Sequence, residues 1–343
     1  MCQSAATSVE LKDKKLILLA SIKNVICAEG LGFLTKSIRE TAEKIRKLEV
    51  QGARNVAIAA INAIEASAKQ TRATSKKAFL EELSKAKQEL FASRETEPLM
   101  RNAVRWIISQ VEANREKQPK KLTALVSSSA RQFLKELEVS KEMIAETGAK
   151  RIRNNSVVFT HCHSSTVTHL LKRAKQQGKK FEVICTETRP ICQGRTTARE
   201  MLEIGIDVTM IVDSAARYFM NEADLVIVGA DAITSEGNVI NKIGTSMIAL
   251  VAHEARTPLY VVSELLKFDP ATIYGDYEKI EERSPSEVWQ DAPEGLVIRN
   301  PAFDVTRRDY IHGIICEEGI VSPHSAMEVV RRRYPWVFAQ STS

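Results

Sequence analysis

The chain has 343 residues, 44% of them hydrophobic, and its 49 Lys and Arg against 43 Asp and Glu give a formal charge of +6. That is enough apolar material for a full core without disulfides or metals, and interleaving of the two signs argues against a nucleic-acid partner. No apolar run of about 18 residues occurs and the start MCQSAATSVELKDKK has charge where a signal peptide is apolar, so we expect a cytoplasmic protein with no membrane partner.

Six cysteines (Cys2, Cys27, Cys162, Cys185, Cys192, Cys316) lie scattered without a CxxC pair and read as free thiols. Residues 1–30 include KKLILLASIKNVICAEG, which reads as a short strand or a short helix and carries no assignment. Helical spacing then begins: Leu34, Ile38, Ala42, Ile45 and Leu48 share one face, and Gly52 is expected to stop that helix. A second helix runs through Val56, Ala60 and Ile64, and a third from about Ser75 to Ala92. After the turn SRETEP come helices over roughly Leu99–Glu116 and Leu122–Thr147.

After Gly148 apolar runs alternate with helix-length segments: VVFT at 157, FEVIC at 181, DVTMIV at 207, LVIVG at 225 and PLYVVS at 258. Continuous apolar strands separated by helices predict an α/β fold with a doubly wound parallel sheet, buried on both faces. The expected organisation is a helical N-terminal domain over residues 1–150 and a sheet domain over residues 151–343.

Ligands of such sheets bind in the crevice at the carboxyl ends of the strands, and the polar motifs fall there. Cys162 stands at the end of the first strand within THCHSST. The sequence His161, Cys162, His163 invites a metal, but neighbouring strand residues point to opposite faces, so no metal is assigned. Ser164, Ser165 and Thr166 precede a helix, either as its cap or as an anion site. ETRPICQG brings Gln193 and Gly194 to the next strand end, where Glu187 and Arg189 could simply pair. GADAI places Asp231 after a strongly apolar strand, where burial would raise its pKa and make it a proton donor. Asn241 and Lys242 follow within NKIGT, and QGAR (Gln51, Gly52, Ala53, Arg54) lies between two helices.

Taken together, THCHSS, ETRPxxQG, GADAI, NKIGT and the helix-Gly-Ala-helix turn resemble the superfamily of translation initiation factor 2B and methylthioribose-1-phosphate isomerase, nearest its archaeal ribose-1,5-bisphosphate isomerase branch. The resemblance spans roughly residues 34 to 335. It implies a helical N-terminal domain, a Rossmann-like C-terminal domain, and catalysis by the Cys and Asp of two of these motifs, here Cys162 and Asp231. It also implies sugar or phosphate contacts at Gln51, Gly52, Ala53, Arg54, Arg94, Ser164, Ser165, Thr166, Gln193, Asn241, Lys242 and Lys267. The family usually reads Arg-Gly-Ala where this chain has Gln51, Gly52 and Ala53. That removes a bidentate phosphate contact unless Arg54 replaces it.

The implied reaction converts α-ribose 1,5-bisphosphate to ribulose 1,5-bisphosphate in AMP salvage. No cofactor is expected, and a homo-oligomer, dimer or hexamer, is. Asp231 is expected to donate a proton during ring opening and Cys162, as thiolate, to remove the proton on carbon 2, which requires a thiol pKa below about 8.5. A non-catalytic binding protein and an isomerase of methylthioribose 1-phosphate are the other readings. A nicotinamide dehydrogenase is set aside because no GxGxxG follows a strand.

Overall fold

A computed structural model describes residues 34–94, 96–275 and 279–339. The segment read as a strand or helix within residues 1–30 lies outside the described residues. Five helices come first: α1 Lys36–Arg46, α2 Ala53–Lys69, α3 Lys76–Phe91, α4 Pro98–Ala113 and α5 Pro119–Ala149. Helix α1 buries Ile38, Ala42 and Ile45, the stripe read from its spacing. Helix α2 is buried on most sides, from Ala53 and Val56 to Ile64 and Ala68, because its many alanines let neighbouring helices approach closely. Helix α1 ends earlier than expected, at Arg46, and Gly52 serves as the residue before α2. Its φ of 80° is a left-handed value that an L side chain adopts only with strain.

Strands and helices then alternate: β1 Ser156–Thr160, α6 Ser165–Gln176, β2 Phe181–Thr186, α7 Gly194–Glu203, β3 Asp207–Ile211, α8 Ala216–Phe219 and β4 Leu225–Val228. Next come β5 Ala232–Ile233, β6 Val239–Lys242, α9 Thr245–Ala255, β7 Leu259–Val262, β8 Phe303–Thr306, β9 Gly313–Cys316, β10 Gly319–Val321, α10 Ala326–Arg333 and α11 Trp336–Ala339. The main sheet has the order β10-β9-β7-β4-β1-β2-β3, parallel throughout except for the β9–β10 hairpin. A small antiparallel sheet, β5-β6-β8, stands beside it.

Neighbouring strand residues serve opposite faces. Phe159, Ile184, Val226 and Val261 join a hydrophobic cluster with α1 to α4, while Val158, Val183 and Ile227 pack under α6 and α7 with Leu170, Leu171 and Met201. Helix α5, 31 residues long, belongs to both: Val126, Phe133 and Leu137 sit in the first cluster, Ile144 and Ala149 in the second. The helical half is thereby seated on the sheet. Strand order reverses between β1 and β4, since the chain runs outward through β2 and β3 before returning on the far side of β1. That reversal opens a crevice at the carboxyl ends of those strands.

Candidate active site

A cavity of about 380 Å³ occupies the crevice, walled by the segments after β1, β2, β4 and β7, by the end of β6, by the turn before α2 with the first residues of that helix, and by Arg94. Cys162, Asp231 and all twelve residues read as sugar or phosphate contacts line it.

Cys162 leaves β1 with φ 66°, a left-handed conformation unusual for a residue with a side chain. Hydrogen bonds hold it there. Its N–H donates to Thr188 Oγ1 at 2.9 Å, its carbonyl accepts from Thr197 Oγ1 at 2.8 Å, and its thiol lies 3.5 Å from Gln193 Oε1. Behind it His161 is buried, with Nε2 2.9 Å from the Ile243 carbonyl and Nδ1 2.6 Å from Thr186 Oγ1. A carbonyl only accepts, so Nε2 carries the proton and Thr186 donates to Nδ1. Burial lowers the His161 pKa and keeps the ring neutral. Glu187 and Arg189 do not pair: Glu187 meets Arg195 at 3.7 Å, and Arg189 donates to the Val288 carbonyl.

The thiol departs from the expected pKa. Burial pushes Cys162 up to about 11, and Lys242 opposes that only in part. The cavity therefore holds a thiol rather than a thiolate at neutral pH. Asp231 also differs from expectation, being half-buried rather than enclosed by apolar side chains. Behind the cavity wall, burial pushes the Glu97 carboxyl up to about 7, with Arg94 opposing and the charge of Asp231 adding to the rise.

Ser164 caps α6, accepting from the Val167 N–H at 3.4 Å, and the start of that helix faces the cavity through Ser165 and Thr166. Both readings of the motif are thus compatible, because a cap spends one hydroxyl while other N–H groups of the first turn remain for an anion. Gly229 makes this packing possible: a Cβ there would lie 2.8 Å from Ser164 Oγ.

Cations surround the far wall. Lys242 Nζ sits 4.9 Å above the Phe303 ring and Arg94 5.8 Å from the same ring. Lys267 Nζ donates to the Ala230 carbonyl at 2.8 Å and meets Glu264 at 3.3 Å. Burial raises the Glu264 carboxyl, but Lys267 and Arg54 outweigh it and hold the net value below the usual range. Arg54 is tied into the wall itself, donating to the Leu137 carbonyl at 2.9 Å, Glu264 at 3.2 Å and Glu138 at 2.5 Å. Its guanidinium thus cross-links α2, α5 and the segment after β7. Asn241 Nδ2 donates to Thr245 Oγ1 at 2.9 Å. Gln51 Oε1 accepts from Gln193 Nε2 at 3.1 Å, closing the cavity mouth between its two halves.

Sequence reasoning missed Arg283, Phe303 and Glu97. Arg283 lines the cavity, meets Glu281 at 3.3 Å, and its pKa is lowered by burial, with Arg94 also contributing. Two neighbouring guanidiniums are a strong sign of an anion site. Only folding brings residues 94, 283 and 303 together, so spacing carried no signal of it.

The profile of the initiation factor 2 subunit family matches residues 49–323. The ribose 1,5-bisphosphate isomerase of Methanocaldococcus jannaschii is 41% identical over 302 residues, covering 88% of this chain and 96% of that protein. The methylthioribose-1-phosphate isomerase of Acetivibrio thermocellus is 36% identical over 304 residues, covering 84% and 89%. Among solved structures, the translation initiation factor eIF-2B of Pyrococcus horikoshii OT3 has a TM-score of 0.74 at 33% identity, covering 84% of this chain and 98% of that one.

Proposed function

The chain belongs to the initiation factor 2 subunit family, and we propose that within it the protein acts as a ribose 1,5-bisphosphate isomerase, with Cys162 and Asp231 as its proton-transfer groups. The observation that carries this reading is that a thiol and a carboxyl from different strand ends share one cavity wall with Arg94, Lys242, Lys267 and Arg283.

An anomeric phosphate prevents isomerisation through a free aldehyde, so the ring opens with that phosphate attached. Asp231 delivers a proton to the ring oxygen as its bond to carbon 1 breaks. Cys162, as thiolate, takes the proton on carbon 2, whose electron pair forms the double bond to carbon 1. Asp231, now a carboxylate, takes the hydroxyl proton on carbon 2 as the Cys162 thiol returns its proton to carbon 1, which gives the ketose bisphosphate and restores both groups. The thiol must first lose its proton, which Lys242 favours and burial opposes. Gln193, at 3.5 Å, orients the sulfur. The two phosphates fall to the cationic wall and to the N-terminal turn of α6 with the backbone beside Gly52. In a cell this step would sit in AMP salvage, between release of the ribose phosphate and use of the bisphosphate.

The rival substrate, with a thioether in place of the second phosphate, needs an apolar end to the cavity. Of the large apolar side chains that line the cavity, Phe303 has its ring covered by cations, while Leu48 stands beside Glu49 and Gln51. The binding-protein reading leaves the constrained thiol unexplained. Assembly into a homo-oligomer is part of the proposal and is supported by β3, a sheet edge with exposed Met210, next to exposed Val212.

The deciding experiment is a coupled assay for ribulose 1,5-bisphosphate, with methylthioribose 1-phosphate as second substrate. Turnover of the bisphosphate that falls at least about 10³-fold in Cys162→Ser and in Asp231→Asn is expected. Near-normal turnover in both variants removes the assigned roles, and no turnover of either sugar returns the binding-protein reading.

A further inference from the structure

Behind the cavity wall, charged groups are buried with fewer hydrogen bonds than burial demands. Glu97 is completely buried, yet among the described residues neither of its carboxylate oxygens has a hydrogen-bond partner, and Arg94 Nε and Nη1 have none either. Arg94 Nη1 lies 3.1 Å from Glu97 Oε1, within ion-pair distance but off the hydrogen-bonding direction. Arg94 Nε stands 3.6 Å from Glu281 Oε2, which is itself without a hydrogen-bond partner. Buried donors aimed past their counter-ions are costly unless another acceptor completes them. Arg94 borders the cavity, so that acceptor can arrive from there.

We propose that Glu97 is a displaceable counter-ion: an anionic ligand takes over the Arg94 guanidinium, and Glu97 takes up a proton as it does so. The proposal rests on the reading of this cavity as an anion site, not on which sugar is turned over.

Among the described residues the charged groups facing Glu97 are Arg94 from the preceding turn, Arg101 on the helix that Glu97 precedes, Asp231 from the end of β4 and Lys267 beyond β7. Arg94 is the strongest of the charges that favour the carboxylate, and Asp231 already works against it. Lys267 is shared with Glu264 at 3.3 Å. An anion on Arg94 cancels the main stabilising charge and adds a negative one nearby. Both changes drive Glu97 toward its neutral form, which burial already favours near pH 7. The negative charge that Glu97 holds beside Arg94 is thus removed by a proton when the ligand supplies its own. By linkage, anion affinity then falls as pH rises through the titration of Glu97.

Sulfate is the probe, because it stays a dianion across the range tested. Calorimetric titration of the full chain should show affinity weakening about tenfold or more between about pH 6 and pH 8.5, with uptake near one proton at the upper end, read from the dependence of the enthalpy on buffer. Glu97→Gln should abolish the uptake, flatten the pH dependence and bind sulfate more tightly than the native chain at the upper pH. Arg94→Met should lose both affinity and uptake. If Glu97→Gln does not fold, the native chain and Arg94→Met decide between them. Sulfate binding that ignores pH in the native chain, or an uptake that survives Glu97→Gln or Arg94→Met, overturns the proposal. Absence of sulfate binding in the native chain overturns the anion-site reading beneath it.

Discussion

Gln193 Nε2 donates to Gln51 Oε1 at 3.1 Å, and Gln193 Oε1 lies 3.5 Å from the Cys162 sulfur. One amide thus connects the catalytic candidate to the helical half of the molecule. Gln51 is held in turn by its donation to the Leu48 carbonyl at 2.8 Å.

The two glutamines should therefore behave differently. Gln51→Ala removes the bond across the mouth but leaves the sulfur its partner, so KM should rise severalfold with kcat within about twofold of native. Gln193→Ala removes both contacts, and kcat should fall by about tenfold or more. Steady-state kinetics of the two variants checks this, and equal effects on kcat would show that Gln193 does not act through the thiol.

The pH dependence of turnover separates the possible roles of Cys162. With its pKa pushed up to about 11, the thiolate is a minor species at neutral pH. A thiolate base predicts kcat/KM rising about tenfold per pH unit from near neutrality into the alkaline range. Lys242 is the main charge favouring the thiolate, so Lys242→Met should lower the rate at neutral pH and move the rise to higher pH. A rate that instead falls as the thiol ionises would make Cys162 the acid, and the assignments of Cys162 and Asp231 would be exchanged.

The strands β1, β2, β4 and β7 were legible because burial on both faces demands unbroken apolar runs, whereas β3 is an edge strand exposed along most of its length and was legible only from its β-branched residues and its place in the alternation with helices. The motifs at their ends were legible for a related reason, since a polar residue just past such a run has few places to go other than the crevice. Strands β5, β6 and β8 were not. They have two to four residues, and β6 is VINK, whose last two residues turn polar groups to the cavity. Arg54 shows the limit of motif reading: its position at the cavity followed from QGAR, while its engagement by Glu138 and Glu264 depends on α5 and the β7 end. The raised thiol pKa was equally hidden, because burial of Cys162 depends on how loops from distant segments close over it.

Gly229 offers a test of packing at the strand ends. A Cβ there would meet Ser164 Oγ at 2.8 Å and Ser164 Cβ at 2.9 Å. Gly229→Ala must push the α6 cap away, disturbing the first turn of that helix beside Cys162. We expect a stability loss of roughly 1–2 kcal/mol, the usual cost of disturbing a cap or overpacking, with a larger proportional loss of activity. Thermal unfolding and turnover of the variant check it. Native values in both would show that Ser164 moves without consequence.

Stability should fall as pH rises toward neutrality, and Glu317 should account for part of the fall. This carboxyl is buried beneath the β7 end, accepts from the Leu265 N–H at 3.1 Å and from Tyr334 Oη at 2.9 Å, and burial pushes it up to about 7. A folded-state pKa above the unfolded one favours the native state below the unfolded value, and that contribution is lost as pH rises through the folded value. The window is therefore about pH 4.5 to 7, and a shift of this size is worth roughly 3 kcal/mol. Glu97 acts in the same sense, and so does Asp304, which burial raises to about 6. Glu264, whose pKa is lowered, gains its contribution at more acid pH and does not offset the loss. The lowered pKa values of His161 and His169 work in the opposite sense as pH rises toward 6.5, and the three raised carboxyls outweigh them. Unfolding temperatures should accordingly be lower at pH 8 than at pH 5. Glu317→Gln keeps an acceptor for Leu265 and Tyr334 without the charge, so the gap between the two temperatures should narrow by several degrees. A gap as wide in the variant as in the native chain would assign the pH dependence to groups other than Glu317.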